Sequence, residues 1–424
     1  MARSAGAGRY DRAGLSSARR SRARPVKEAS KNAVRPRRAR PGHEKTSAVP
    51  AEAAGGVLLV LFFLVLLIPA RLHVGSLMLS PGRVLLLVMF VPLSLRLLSG
   101  KLGRIQPIDV FVGLYCVWIA VSMIVVHGSE RIEFIGISII EIYGGYLMGR
   151  ALIRSEADYR MFFWCFFWAL VLISPLVIFE QATRRMILSE VLDKFVDTLP
   201  YVHQEVRWGL NRVQAVFEHP IAYGLFCSMA VANFYYLNQD RLGRALPLTG
   251  FAAFMTFMSL SAAPLLSMML QFGLIVWDKV TRGKWGLLAL IAAIGYIALD
   301  LVSNRTPPEI LASTLTFNAR AAYNRVLIWT WGWQNIAANP IFGLGLNDWV
   351  RRWFMPSSVD NFWLLTAMRH GLPALIFLVA GIVSGLWRIC AREGLSASEA
   401  QCRTGYMVAL TGLFMTLLTV HVWG

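Results

Sequence analysis

Acidic side chains are scarce in this chain. Asp and Glu number 24 against 42 Lys and Arg, for a formal net charge of +18. The early Asp/Glu-rich loop of metal-dependent membrane transferases is missing. Cysteines are few, and the five (Cys116, Cys165, Cys227, Cys390, Cys402) have no metal-ligand spacing. Four of them lie in apolar segments, where cysteine packs as a small hydrophobe. No P-loop, no His-Glu-x-x-His, no dinucleotide fingerprint and no Gly-x-Ser-x-Gly is present. These absences argue against nucleotide hydrolysis, zinc chemistry and a bound divalent metal, and no cofactor is expected. No internal repeat is visible.

Long apolar runs, by contrast, are abundant. Hydrophobic residues make up 56% of the chain, with Trp 14 and Phe 24. Continuous blocks without alternation exclude a barrel and predict an all-α, polytopic integral membrane protein. Candidate spans fall at 54–70, 83–99, 108–126, 133–151, 160–180, 214–237, 246–262, 264–278, 285–303, 361–388 and 404–422. Each is near the ~20 residues that cross the hydrocarbon, which gives about 11 helices, with 10–12 as the range. The stretch 246–278 is interrupted by Ser259-Leu-Ser-Ala-Ala-Pro264. It therefore reads as two short helices meeting at Pro264.

Charge placement predicts orientation. Residues 1–50 hold 14 Lys and Arg against Asp11, Glu28 and Glu44. With so little apolar content, residues 1–53 are expected to be a disordered cytoplasmic tail attracted to anionic membrane lipid, not to nucleic acid. A cleaved signal peptide is not expected, because the first apolar segment is followed by many more. With the tail inside, every inner loop of the eleven-span arrangement is basic. The N-terminus is then cytoplasmic, the C-terminus outside, and two large extracytoplasmic loops lie at 182–213 and 304–360. Both outer loops carry arginines, against the usual bias. They either face an anionic ligand or pair with Glu190, Asp193, Glu205 and Glu309.

The longest polar interruption, 304–365, is where chemistry is expected. It contains a predicted helix from Asn318 to Ala338, ended by Asn339-Pro340, then a turn at Gly343-Leu-Gly345 and Asp360-Asn361 before the next span. On the helix, Arg320 and Asn324 share a face, while Arg325 lies beside an apolar stripe of Val326, Trp329, Trp333 and Ile336. That stripe is expected to pack on the membrane domain. Asp360 or Asn361 could cap the following helix, or Asp360 could act as a base. Upstream, Arg212 sits at the predicted membrane surface. Glu218 and His219 would lie one to two turns inside the sixth span, where ionisable groups are functional candidates. Pairing at an interface is the alternative. His370 is read as an interhelical hydrogen-bonding histidine.

Three of these places resemble the O-antigen ligase and O-antigen polymerase family. Arg212 to Pro220 is similar to the family's Arg…Phe-x-His-Pro element. Arg325-Val-Leu-Ile-Trp…Asn339-Pro-Ile-Phe-Gly-Leu-Gly345 is similar to its Arg-x3-Trp…Pro-x-x-Gly-x-Gly signature. Asp360-Asn361…His370-Gly371 is similar to its His-Asn…Gly element. The sequence departs from the family in having Asp at 360 where His is common, as in exopolysaccharide polymerase-like members. A Ser-Arg element is here Ser261-Ala-Ala-Pro264.

The resemblance implies a metal-independent glycosyltransferase of the bacterial cytoplasmic (inner) membrane. Its donor would be an undecaprenyl-pyrophosphate-linked glycan, and other polysaccharide-assembly proteins are candidate partners. Arg212, Arg320 and Arg325 would hold the pyrophosphate. Asp360, with His219 as second candidate, would be the base, and Asn361 and Glu218 would serve the acceptor or a secondary role. Polymerisation of lipid-linked repeat units is expected ahead of ligation of finished glycan to an acceptor. A transporter of an anionic solute is the alternative of another class; it calls for paired broken helices, of which only the Pro264 interruption is seen. A structural scaffold for other envelope enzymes is a third reading.

Overall fold

A computed structural model of the chain describes residues 51–75, 77–202, 206–303, 310 and 319–420. The basic tail at 1–50, most of 304–318 and the side chain of Arg320 lie outside the described residues. What is described is mainly helical, with almost no strand. Six helical stretches are long and apolar enough to cross a membrane: Pro81–Leu98, Pro107–Leu152, Glu156–Thr183, Ala262–Thr281, Trp285–Val302 and Phe362–Cys390. Gly55–Leu66 is a shorter apolar helix. This supports the all-α membrane class, while the expected number of about eleven spans is finer than these six.

In chain order the helices are α1 Ala51–Leu66, α2 Pro81–Leu98, α3 Pro107–His127, α4 Ile132–Ile139, α5 Gly145–Leu152 and α6 Glu156–Thr183. They continue as α7 Ile187–Leu192, α8 Pro220–Asn238, α9 Leu242–Phe257, α10 Ala262–Thr281, α11 Trp285–Val302, α12 Ala319–Ala338, α13 Phe362–Cys390 and α14 Ala397–Thr416. A π-helical turn, Ile140–Gly144, joins α4 to α5. Local sequence explains many of the ends. Ser80 accepts from the Arg83 N–H with Pro81 at the first helical position. Ser155 with Asp158, and Ser396 with Glu399, form capping boxes.

The 46-residue stretch Pro107–Leu152 folds back on itself. Gly128 takes a left-handed conformation (φ 63°) where α3 ends, and a short 3-10 turn, Gly128–Arg131, leads into α4. At the far end, Asp109 at the start of α3 accepts from Arg150 Nε of α5 at 2.9 Å and from the Tyr146 hydroxyl. The two arms are therefore antiparallel. Asp109 is 3% exposed, and its charge is compensated by that arginine, as a buried carboxylate requires.

The core centres on α8, which packs against α6, α9, α10 and α14. Its buried residues come from every side of the helix and include Ser228, Asn233, Tyr223 and Tyr236. A helix surrounded by protein can carry these polar groups, because neighbours satisfy them. Gln271 of α10 does so, donating to the Ser228 carbonyl and accepting from the Ala232 N–H. In contrast, no residue of α11 is buried, so its apolar surface is left to lipid or to another protein. The predicted interruption before Pro264 is present: α9 ends at Phe257, α10 begins at Ala262, and Leu260 between them has φ 44°.

One element was not expected. A three-stranded antiparallel sheet of order β2-β1-β3 joins β1 Ala70–Val74, β2 Leu77–Leu79 and β3 Asp197–Thr198. It ties the segment after α1 to the 182–213 loop, with the Leu199 N–H donating to the Pro69 carbonyl.

Candidate functional site

The segment from Arg212 to His219 corrects the expectation of a helix beginning near 214. Residues 211–219 are irregular, and α8 starts at Pro220. The residue before a proline is disfavoured in helical conformation, and His219 is extended (φ −153°, ψ 147°). His219 is the N-cap, its Nδ1 accepting from the Ile221 N–H at 3.1 Å. That bond places the ring proton of the neutral tautomer on Nε2. Glu218 is exposed rather than inside a span, and pairs with Arg71 at 3.5 Å.

Buried polar groups hold this irregular backbone in place. Glu180, at the end of α6 and 2% exposed, accepts from the Gln214 N–H at 2.9 Å and the Ala215 N–H at 2.8 Å. Ala215 has φ 53°, a left-handed conformation that costs a non-glycine residue. The two bonds to Glu180 offset that cost. Gln214 accepts from the Val202 N–H and donates to the Pro200 carbonyl. Arg212 is 8% exposed and donates from Nη2 to the Ser261 hydroxyl at 3.0 Å. Its guanidinium therefore sits against the break between α9 and α10, where the Val213 N–H also donates to the Met258 carbonyl.

The second group of candidates lies on α12 and at the start of α13. The predicted helix is present as Ala319–Ala338, but its buried face differs from the expected stripe. Ile328, Gly332, Asn335 and Ile336 are buried, whereas Trp333 is exposed. A side chain at Gly332 would meet Leu364 of α13 at 2.6 Å, so the helices touch at this glycine. Asn335 makes two bonds with the Val350 backbone, one as donor and one as acceptor, and so ties down the 346–359 loop. Trp349 Nε1 donates to the Ser357 carbonyl in the same loop.

Arg325 is half-buried and donates to the Thr419 carbonyl at 3.3 Å. Burial lowers its pKa, and the charge of Asp360 acts against that shift. Asn361, not Asp360, is the cap of α13: its side chain accepts from the Leu364 N–H at 3.0 Å. Asn361 is 5% exposed, while Asp360 is half-buried. The capping role is thus filled by the neighbour and does not need the Asp360 carboxylate.

The Gly-Leu-Gly turn has a structural role that sequence alone did not reveal. α13 breaks at Gly371 (φ 79°, ψ 173°), two residues before Pro373. Such a break frees the carbonyls of Met368, Arg369 and His370 from their helical partners. Outside donors take all three. The Leu344 N–H bonds to Met368 O at 2.7 Å, the Gly345 N–H to Arg369 O at 2.9 Å, and Trp118 Nε1 to His370 O at 2.9 Å. A Cβ at Gly343 would stand 2.5 Å from the Arg369 backbone. His127 at the end of α3 accepts from the Leu346 N–H at 2.8 Å. As expected, His370 is an interhelical partner, its Nδ1 lying 3.1 Å from the Ser122 hydroxyl.

The end of α14 joins the two groups. The Phe362 N–H of α13 bonds to the carbonyls of Leu417 and Val420, and Arg325 bonds to Thr419 between them. Val420 and Leu413 in turn pack with Ile221 and Leu225 of α8 and Ala263 of α10. The Arg212 partner Ser261 and the His219 cap each stand two residues before a member of this cluster, Ala263 and Ile221, while Arg325 bonds the turn directly. Sequence reading missed two charged residues near these places. Arg369 lies on α13, and Glu141, on the π-helical turn, accepts from Arg83 Nε at 2.6 Å. A π-helical insertion is a frequent mark of a functional position, but it has no simple sequence signal. Among the described residues, no group of three or more His, Cys, Asp and Glu is placed to hold a metal ion.

Fold and site together define an all-α protein, apolar enough in six helical stretches for a membrane, with a buried Arg212 before α8, a half-buried Arg325 on α12 and a half-buried Asp360 before α13. No protein-family model matches the sequence, and no curated protein matches it.

Proposed function

We propose that this protein is a membrane glycan transferase that polymerises undecaprenyl-pyrophosphate-linked repeat units at the outer face of the bacterial inner membrane. The observation that carries the reading is that Asn361, not Asp360, caps α13, while the charge of Asp360 acts on the half-buried Arg325. A candidate base and an anion-binding fork then lie within electrostatic reach of each other. The sequence resemblance over three motifs supports the same reading.

In the proposed reaction, the acceptor hydroxyl oxygen attacks the anomeric carbon of the donor glycan. Its proton passes to the Asp360 carboxylate. The bond from that carbon to the pyrophosphate oxygen breaks, and the lipid pyrophosphate leaves with the electron pair. Arginine forks stabilise the charge that develops there, each charge-assisted bond contributing roughly 1.5–3 kcal/mol. Arg325 and Arg212 supply them, with Arg320 as a third candidate on the same helix as Arg325. His219 is the weaker candidate for base, because its Nδ1 lone pair is used by the cap.

Mass spectrometry of the carrier-lipid fraction from a deletion strain tests this. Single lipid-linked repeat units without high-mass polymer are expected. Long chains accumulating on the carrier would replace polymerase by ligase. An unchanged lipid-linked pool with normal surface polysaccharide would count against any transferase and favour transport of an anionic solute.

A further inference from the structure

Arg369 lies on α13 about 12 Å beyond the Asn361 cap, at 1.5 Å per residue. Two cavities meet at it. One, of about 250 Å³, is bordered by the turn around Gly345 and Asn347 and by Ser357 and Ser358. The other, of about 260 Å³, lies between α3, the α4–α5 arm and α13, and Ile119, Phe134, Ile142 and Leu378 give it a mainly apolar wall. Arg369 and Leu365 line both.

The charges around these cavities do not balance. Each carboxylate that lines them is engaged by another arginine: Glu141 by Arg83, and Asp348 by Arg351. His370, the next residue, faces the Ser122 hydroxyl. Among the described residues, the Arg369 guanidinium makes no hydrogen bond or ion pair. A cation within an apolar helix is costly unless an anion compensates it. A planar fork is suited to a phosphate. A polar chamber on one side of it and an apolar chamber on the other suit an amphiphile.

We propose that Arg369 grips the phosphate of a membrane lipid, with the head in the polar cavity and the first carbons of the chain in the apolar one. The assignment rests on the transferase reading only for which lipid is meant, namely a polyprenyl phosphate carrier. The site is separate in residues from Arg212 and Arg325.

Native mass spectrometry of the purified full chain in detergent tests the site. The probes are undecaprenyl phosphate, phosphatidylglycerol, undecaprenol and inorganic phosphate. Undecaprenyl phosphate should bind the wild type more tightly than phosphatidylglycerol, and the reverse order would overturn the assignment to the carrier. Arg369→Gln should weaken that binding by about tenfold or more, as loss of a charge-assisted bond requires. Arg369→Lys, which keeps the charge and loses the fork, should fall between, and it decides the question if the Gln variant does not fold. Unchanged binding in these variants would overturn the site. So would undecaprenol or inorganic phosphate binding the wild type as tightly as the phosphate lipids do. Arg369-dependent binding with an unchanged glycan pool in the deletion strain would keep the site and sink the transferase reading. A polymerase phenotype with binding insensitive to Arg369 would do the reverse.

Discussion

The Ile341 carbonyl rests against the α-carbon of Gly371, so that a Cβ there would fall well inside the contact distance of that oxygen. Gly371 also has φ 79°, and the Leu372 N–H donates to the neighbouring Pro340 carbonyl at 2.8 Å. Any side chain at 371 meets both a clash and a disfavoured backbone. Gly371→Ala is therefore expected to cost more than about 3 kcal/mol. Fluorescence-detected size exclusion after heating should show a lower melting midpoint, and a wild-type midpoint would mean that the turn is not locked into the break.

The neighbours Asp360 and Asn361 should separate function from stability. Asp360→Asn keeps the volume and the hydrogen-bonding capacity but cannot accept a proton as a base. It should leave the protein folded in the membrane and abolish polymer formation. Asn361→Ala removes the side-chain cap of α13 and should cost about 1 kcal/mol. Full glycan output from the Asp360→Asn strain would move the base elsewhere.

Arg212 and Arg325 should be needed as arginines. Lysine keeps the charge but loses the planar fork. Arg212→Lys and Arg325→Lys are expected to reach the membrane folded, with polymer output reduced by about two orders of magnitude, as for loss of an oxyanion donor. Surface polysaccharide quantified against membrane protein level checks this. Wild-type output would show that only charge or solvation is required.

Orientation can be read with thiol chemistry. The five native cysteines are all free, so a cysteine-free background breaks no disulfide. A single cysteine at Ser358, which is exposed, should react with an impermeant thiol reagent in intact spheroplasts. Protection there, with labelling only after lysis, would reverse the proposed topology.

Composition and pattern alone determined the membrane class, a helix from Asn318 to Ala338 that the structure has as Ala319–Ala338, its end at Asn339-Pro340 and the interruption before Pro264. These are local properties: apolar length, helical periodicity and the missing N–H of proline act within a few residues. The positions of Arg212, Arg325, Asp360 and Asn361 were also legible, as charged or capping residue types beside apolar runs. Their roles were not. Both Asp360 and Asn361 are residue types that can cap, and only the structure shows that Asn361 takes the Leu364 N–H while the Phe362 N–H bonds to the end of α14. The irregular path from 211 to 219 was invisible because its donors find Glu180, which is more than thirty residues away in sequence. The small sheet escaped for the same reason, since β1 and β3 meet across more than a hundred residues. Arg369 was passed over in the sequence. Only the tertiary structure showed that Arg83 and Arg351 had already taken the nearby carboxylates, because which charges neutralise one another is a matter of distance in space and not along the chain.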